Sequence, residues 1–324
     1  MSSSKQPLVT IGMTAYNARE TIADALRSVL AQSWDNVELV IVDDFSTDKT
    51  YEFLQDFAAN HENVRLFRQE ENKGVAFARH RIVEEAKGEF IAFFDDDDVS
   101  VPERVARQYE RIVEYEENFA DGAPVICHTA RTQRYPDGVV RLEPTMGTVV
   151  GEVAPHGAAV ARRILTGKPI ANVFGSAATC SQMGRTENYR RLGNFDPDFR
   201  RGQDTEFNIR FALAGGHFVG IADPLVVQSM TYGTEKRLKQ EKEFFIKAIE
   251  KYSDFVEEYI SKDFAISWIE TKYIYMENRK GDFVLALIRL FLKYPMNVLA
   301  RLYWALPNMR FNKQFSRFHM GGAR

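Results

Sequence analysis

The sequence predicts a doubly wound α/β fold, a mostly parallel sheet with helices on both faces, followed by a C-terminal α-helical extension. Three observations carry this. Short β-favouring apolar runs alternate with amphipathic helical patterns through the first hundred residues. The run VELVIVDD (37–44) is almost continuously apolar, as in a parallel strand buried on both faces. From about residue 236 only helical spacing remains.

The elements follow in order. LVTIGMTAY (8–16) reads as the first strand. Asn17 stands where a helix N-cap would, with Glu20 as its capping-box partner, and Ile22, Leu26, Val29 and Leu30 follow at helical spacing. Residues 37–44 form the second strand. Ser46 or Thr47 then caps a helix whose apolar face is Tyr51, Leu54 and Phe57. VRLFRQ (64–69) is the third strand. Asn72-Lys73-Gly74 turns into a helix over 75–87, stopped by Gly88 as a C′ glycine. FIAFF (90–94) is the fourth strand, and Pro102 opens a helix running to about 118. Farther on, VICHTART and VVRLEP flank Tyr135-Pro136-Asp137-Gly138, a hairpin turn. Residues 147–175, rich in Gly, Ala and Val, specify no single element. Residues 194–216 read as a loop and a helix, and HFVGIADPLVVQS (217–229) as a last strand pair.

A boundary near 235 separates a sheet domain, 1–235, from a helical, basic, amphipathic extension, 236–324. The sheet domain has halves at about 1–123 and 124–235. Of the 324 residues, 45% are hydrophobic and 27% charged, which is a globular composition. The net charge of −3 gives no reason to expect nucleic acid as a partner. Cys127 and Cys180 lack CxxC spacing and read as reduced core thiols of a cytoplasmic protein. The six histidines show no zinc-ligand spacing. The N-terminus lacks the apolar core of a signal peptide. The most apolar stretch, 283–306, is interrupted by Arg289, Lys293, Pro295 and Arg301. After Asp282 there is no acid, while Arg289, Lys293, Arg301, Arg310, Lys313, Arg317 and Arg324 supply positive charge. Such a segment (283–324) suits peripheral contact with the inner face of the cytoplasmic membrane. The alternative is a helix packed on the sheet domain or on a second copy in a homo-oligomer.

Tyr16-Asn17, Asp43-Asp44 and Asp95–Asp98 all fall at predicted strand carboxyl ends. A parallel sheet gathers such ends on one rim, where ligands bind. Four consecutive acids alone would read as a solvated loop. The buried-strand pattern of FIAFF and the other rim residues argue instead for a divalent cation and phosphate site, because Mg²⁺ and Mn²⁺ take carboxylate, phosphate and water oxygens. Period-two alternation pairs Asp95 with Asp97 and Asp96 with Asp98. Asp44 can accept hydrogen bonds from a base or ribose, Tyr16 offers a stacking face, and Lys73 and Arg79 can meet phosphate charge.

Together these residues resemble a known family. TIGMTAYNARETIADALRSVLAQSWDNVELVIVDDFSTDKT, ENKGVAFARHRIVEEAKGEFIAFFDDDDVSVPERV and RRLGNFDPDFRRGQDTEFNIRFALAGG are similar to three blocks of the family 2 glycosyltransferases, in the family's order over 8–216. The resemblance implies the GT-A fold, a Rossmann-like nucleotide-sugar domain, and inverting transfer of a sugar from a nucleotide sugar. UDP is the default nucleotide and Mn²⁺ or Mg²⁺ the cofactor. The acceptor is a glycan or lipid-linked hydroxyl in the synthesis of a bacterial surface polysaccharide.

Carried over by the resemblance, Thr14 and Tyr16 lie against base and ribose, and Asp44 hydrogen-bonds the base. Lys73 is kept as a candidate for phosphate contact, and Arg79 sits near the donor. Asp95 is the first acid of the DxD motif, Asp96 contacts the ribose, Asp97 ligates the metal and Asp204 is the general base. Asp98, the polar residue after the motif, ranks as the most expendable of the four acids. Gln203 departs from the Glu that often precedes the base, and Glu206 competes for the base role. No His follows the last strand, where many relatives carry a further metal ligand. Two other readings stand beside transfer: a non-catalytic nucleotide-sugar-binding or assembly subunit, and a nucleotidyltransferase. The second lacks support, since TAYNARE is no Gly-rich phosphate loop.

Overall fold

The computed structural model describes residues 6–231 and 235–305. The chain sorts into two compact units. One comprises residues up to 158 together with 172–230, and the other comprises 159–171 and the residues from 231 on.

The first unit is built on one sheet. β1 (Val9–Ala15) pairs in parallel with β2 (Val37–Asp43) on one side and β4 (Phe90–Asp95) on the other, and β3 (Val64–Arg68) adds to β2. The helices between them are α1 (Ile22–Leu30), α2 (Thr50–Ala59) and α3 (Val75–Glu85). Beyond β4 the sheet becomes mixed. β5 (Val99–Ser100) and α4 (Arg104–Asn118) precede β6 (Val125–Arg134) and β7 (Val140–Glu143). In chain order α5 (Gly157–Thr166) follows, which from residue 159 belongs to the second unit, and then β8 (Gln182–Arg185), α6 (Thr186–Arg191), α7 (Gln203–Leu213) and β9 (His217–Ser229). The strand order is β3-β2-β1-β4-β8-β6-β9-β5, with the β6–β7 hairpin turning through Tyr135–Gly138 as expected.

Continuous apolar strands make the core. Val9, Ile11, Met13, Leu39, Ile41, Phe90, Ala92 and Phe94 are buried in one cluster with Ile22, Leu26 and Val29 of α1. Each large apolar side chain so buried contributes about 1.5–3 kcal/mol. Thr10 and Glu38 are buried as a hydrogen-bonded pair at 2.6 Å, so their polarity is satisfied inside the sheet.

Several local expectations differ from the structure. Asn17 does not cap α1, which starts at Ile22; its backbone is left-handed (φ 49°) and its side chain accepts from the Thr47 N–H. Ser46 and Thr47 do not cap α2. Asp48, two residues before the helix, instead accepts the N–H of its first residue, Thr50, and Ser46 accepts from the Asn17 N–H. Gly88 is no left-handed cap. It is glycine because a Cβ would strike the Thr10 N and Phe90 O backbone. Pro102 precedes α4 rather than opening it. Residues 217–229 form one long strand, not a pair, with a register irregularity opposite Thr129–Arg131 that absorbs Ala222, Asp223 and Leu225 on either side of Pro224.

In the second unit, α8 (Glu235–Lys251), α9 (Ser253–Glu257), α10 (Lys262–Met276), α11 (Lys280–Lys293) and a helical stretch over 295–305 surround a small core. Phe264, Leu290 and Val298 are its buried members. Of the positive charges expected there, Arg310, Lys313, Arg317 and Arg324 lie outside the described residues.

Candidate active site

The strand register gathers the expected rim. Thr14 lies level with Asp95 of β4 and Val42 of β2, and Ala15 lies level with Asp43. Tyr16, Asp44 and Asp96 are therefore the next residues off three neighbouring strands. The Tyr16 N–H donates to Asp96 Oδ2 at 2.9 Å, tying the ends of β1 and β4 together. The Tyr16 side chain stays open to solvent, 49% exposed, with its ring face available.

Asp44 is buried and holds the loop before α3. Its Oδ1 accepts from the Lys73 N–H (2.9 Å) and Gln69 Nε2 (3.0 Å), and its Oδ2 from the Gly74 N–H (2.8 Å). A carboxylate has about four acceptor positions, so about one remains for a ligand. Burial pushes its pKa up, partly offset by the Lys73 and Gly74 N–H groups. Lys73 thus serves through its backbone, with its ammonium over the Phe77 ring. Arg79 is buried on α3, and its Nη2 donates to Asp95 Oδ1 at 3.0 Å.

The acid run is electrostatically loaded. Burial first, opposed by the Tyr16 N–H, and then the negative charge of Asp97 and Asp95, push Asp96 up to about 7. Burial and Asp95 push Asp97 up to about 6. Burial, then Asp95 and Asp97, push Asp98 up to about 8. Hard divalent cations seek such carboxylate oxygens, and a cation beside them would favour their ionised forms. The residues present fit a cation: Asp95 is held by Arg79, Asp96 by the Tyr16 N–H and Asp98 by the Ser229 N–H, while among the described residues Asp97 makes no hydrogen bond to another residue.

Asp98, which ranks as the most expendable of the four acids in sequence, has a structural task. It is buried, and its Oδ1 accepts the Ser229 N–H at 3.0 Å, which fastens the end of β4 to the end of β9. Asp95, Asp98 and Cys180 offer donor atoms within 4.8 Å of one another. Burial pushes the Cys180 thiol up to about 12, so it remains protonated.

Sequence reasoning missed what lies beneath. Arg104 is fully buried and donates to Phe93 O (2.7 Å), Ser100 Oγ (2.9 Å) and Gln108 Oε1 (3.0 Å), with Asp98 and Asp95 as its electrostatic neighbours. Arg131 donates to Gln228 Oε1 (3.0 Å) and Ser176 Oγ (2.6 Å) and approaches Cys180 Sγ at 3.6 Å. In sequence Arg104 is one charge among many on an amphipathic helix, and only the tertiary fold turns it inward.

Asp204 lies in the first turn of α7, after Gly202, the left-handed N-cap residue (φ 70°). Its Oδ1 accepts the Thr205 N–H at 2.7 Å, and among the described residues it makes no hydrogen bond to the acid run. The loop before it reaches the rim. Arg200 lies against Gly74 and lowers the pKa of Asp44. Glu206 is fully buried, and Arg210 Nε spans both its oxygens at 2.9 and 3.0 Å. Glu206 is thereby committed to an ion pair with Arg210.

Residues 10–166 match the model described as Glycosyl transferase family 2. The putative teichuronic acid biosynthesis glycosyltransferase TuaG of Bacillus subtilis is 35% identical over 145 residues, 41% of this chain and 58% of TuaG. The UDP-Glc:alpha-D-GlcNAc-diphosphoundecaprenol beta-1,3-glucosyltransferase WfgD of Escherichia coli is 36% identical over 115 residues, 36% of this chain and 45% of WfgD. The chain spans about half the length of the curated relatives it matches. The crystal structure of S. aureus TarS 1-349 in complex with UDP-GlcNAc superposes with a TM-score of 0.58 at 17% identity, covering 96% of this chain and 88% of that one. At that identity the likeness speaks to fold. The ordered blocks, the acid run on a parallel rim and these matches agree: residues 10–166 match the family 2 glycosyltransferases, and the chain has the GT-A fold.

Proposed function

We propose that the chain transfers a sugar, with inversion, from a UDP-sugar to a hydroxyl of a glycan or lipid-linked acceptor in surface polysaccharide synthesis, at the inner face of the cytoplasmic membrane. The observation that supports this best is the meeting of Tyr16, Asp44 and Asp95–Asp98 on one rim, with the loop leading to Asp204 touching it at Gly74.

Each residue has a task in that reaction. The Asp96–Tyr16 hydrogen bond holds the Tyr16 ring where a base can stack, and Thr14 lies beside the ribose. Asp44 fixes the Lys73–Gly74 turn and keeps about one acceptor position for the base. Arg79 orients Asp95 rather than standing free. Asp97, with Asp95 behind it, would hold Mn²⁺ or Mg²⁺. When bound, that ion supplies positive charge against the departing diphosphate. Asp204 accepts the acceptor hydroxyl's proton as the oxygen attacks the anomeric carbon from the side opposite the diphosphate. One carbon–oxygen bond forms, the carbon–oxygen bond to the diphosphate breaks, and configuration inverts.

A thermal-unfolding screen of nucleoside diphosphates with Mn²⁺ tests the donor reading. UDP at about 100 times its dissociation constant stabilises by about 2.7 kcal/mol. No shift with any nucleotide, with or without cation, would overturn it.

A further inference from the structure

The second unit carries an apolar surface that the transfer reaction does not use. Along α11 and the helical stretch 295–305, one stripe faces inward: Leu287, Leu290, Tyr294, Val298 and Leu302, packed around Phe264. A second stripe faces outward at the same three-to-four spacing. It runs Val284, Ile288, Leu292, Met296, Leu299 and Tyr303, with Leu285 and Phe291 beside it. Leu292, Met296 and Tyr303 are 78%, 74% and 72% exposed. A helix apolar on both sides belongs in an interior or against a partner, yet only one side is covered.

Charge selects the occupant. Arg289 and Lys293 are exposed on α11 itself, and from Phe283 to Arg324 the sequence holds seven Lys and Arg and no Asp or Glu. A second copy docked through this stripe about a twofold axis would set positive edges against each other. An anionic bilayer satisfies both features, because its acyl layer takes the apolar stripe and its head groups take the cations. Among the described residues no helix is long and apolar enough to cross a membrane, so the element would lie in the interface.

We infer that the outward stripe of residues 284–303 is a docking face for an anionic lipid surface. The inference stands apart from the transfer reaction, and its decisive readout is vesicle binding, not turnover. The full chain is floated with vesicles of phosphatidylglycerol and phosphatidylcholine, and with phosphatidylcholine alone. Binding should require the anionic lipid and weaken with salt. Arg289→Gln with Lys293→Gln should lower binding about 25-fold, at about fivefold per cation near the surface. Leu292→Glu with Met296→Glu should lower it at least about tenfold while leaving thermal unfolding and UDP binding unchanged, since both side chains are already exposed. Failure of the unaltered chain to float with anionic vesicles would overturn the inference, as would flotation of both variants equal to that of the unaltered chain. So would light scattering that shows a dimer split by Leu292→Glu with Met296→Glu, in a chain that binds no vesicles.

Discussion

Asp98→Asn should stabilise the cation-free protein at neutral pH and reshape its pH dependence. The Asp98 carboxyl is buried and titrates at about 8 instead of its ordinary 3.8. A raised carboxyl value means that the folded chain keeps a proton which the unfolded chain releases. Stability therefore falls as pH rises from the ordinary carboxylate range to about 8. A pH of 7 lies about three units above the carboxyl's ordinary value, so keeping that proton costs about 4 kcal/mol at about 1.4 kcal/mol per unit. Asparagine has no such cost and keeps an oxygen for the Ser229 N–H. Its amide nitrogen would sit between Cys180 and Arg104 without a good acceptor, costing about 1–3 kcal/mol. The net gain at pH 7 is about 1–3 kcal/mol, or several degrees in Tm at about 2–4 °C per kcal/mol. The sharper signature is the gap between variant and parent, which should widen by about 4 kcal/mol from pH 5 to pH 8. Urea unfolding in EDTA at those two pH values measures it. A gap that stays constant or narrows refutes the burial and charge placement argued for this carboxyl.

Other consequences can be checked separately. Apparent Mn²⁺ affinity in the presence of UDP, followed by calorimetry, should fall about tenfold between pH 7.5 and 5, because Asp97, at about 6, must be ionised to hold a cation. Glu206→Gln should destabilise by about 3 kcal/mol in urea unfolding, since it removes the buried carboxylate charge that Arg210 faces, without changing the cation dependence of nucleotide binding. Gly147→Ala should cost at least about 2 kcal/mol, because Gly147 is left-handed (φ 74°) and a Cβ there collides with Phe218 O. A melting temperature equal to the parent's would contradict that packing.

The sequence was informative where one residue's pattern decides the outcome. Near-continuous apolar runs located β1 to β4 to within a residue or two, and strand alternation then placed Tyr16, Asp44 and Asp96 on one rim. It was poor where the deciding atom is distant. Asn17 and Ser46 look like caps, but each turns to the other loop, a contact 29 residues away in sequence. Gly88 looks like a helix stop, yet its lack of a Cβ serves the Thr10 backbone. Asp98 looked dispensable because nothing local predicts the Ser229 N–H, 131 residues on. Glu206 stood as a competitor to Asp204 because nothing local shows that Arg210, one turn along α7, pairs with it. Residues 147–175 stayed unreadable because their glycines answer to close backbone contacts, Gly147 against Phe218 and Gly175 against Pro144, not to any local period.

The most direct test of the central claim is turnover and UDP binding measured side by side in Asp204→Asn and Asp97→Ala. The account predicts that Asp204→Asn binds UDP with Mn²⁺ like the parent but transfers sugar about 10²–10⁴-fold more slowly, whereas Asp97→Ala loses the cation-dependent part of UDP binding itself. Undiminished transfer in Asp204→Asn, or cation-dependent UDP binding unchanged in Asp97→Ala, would contradict it.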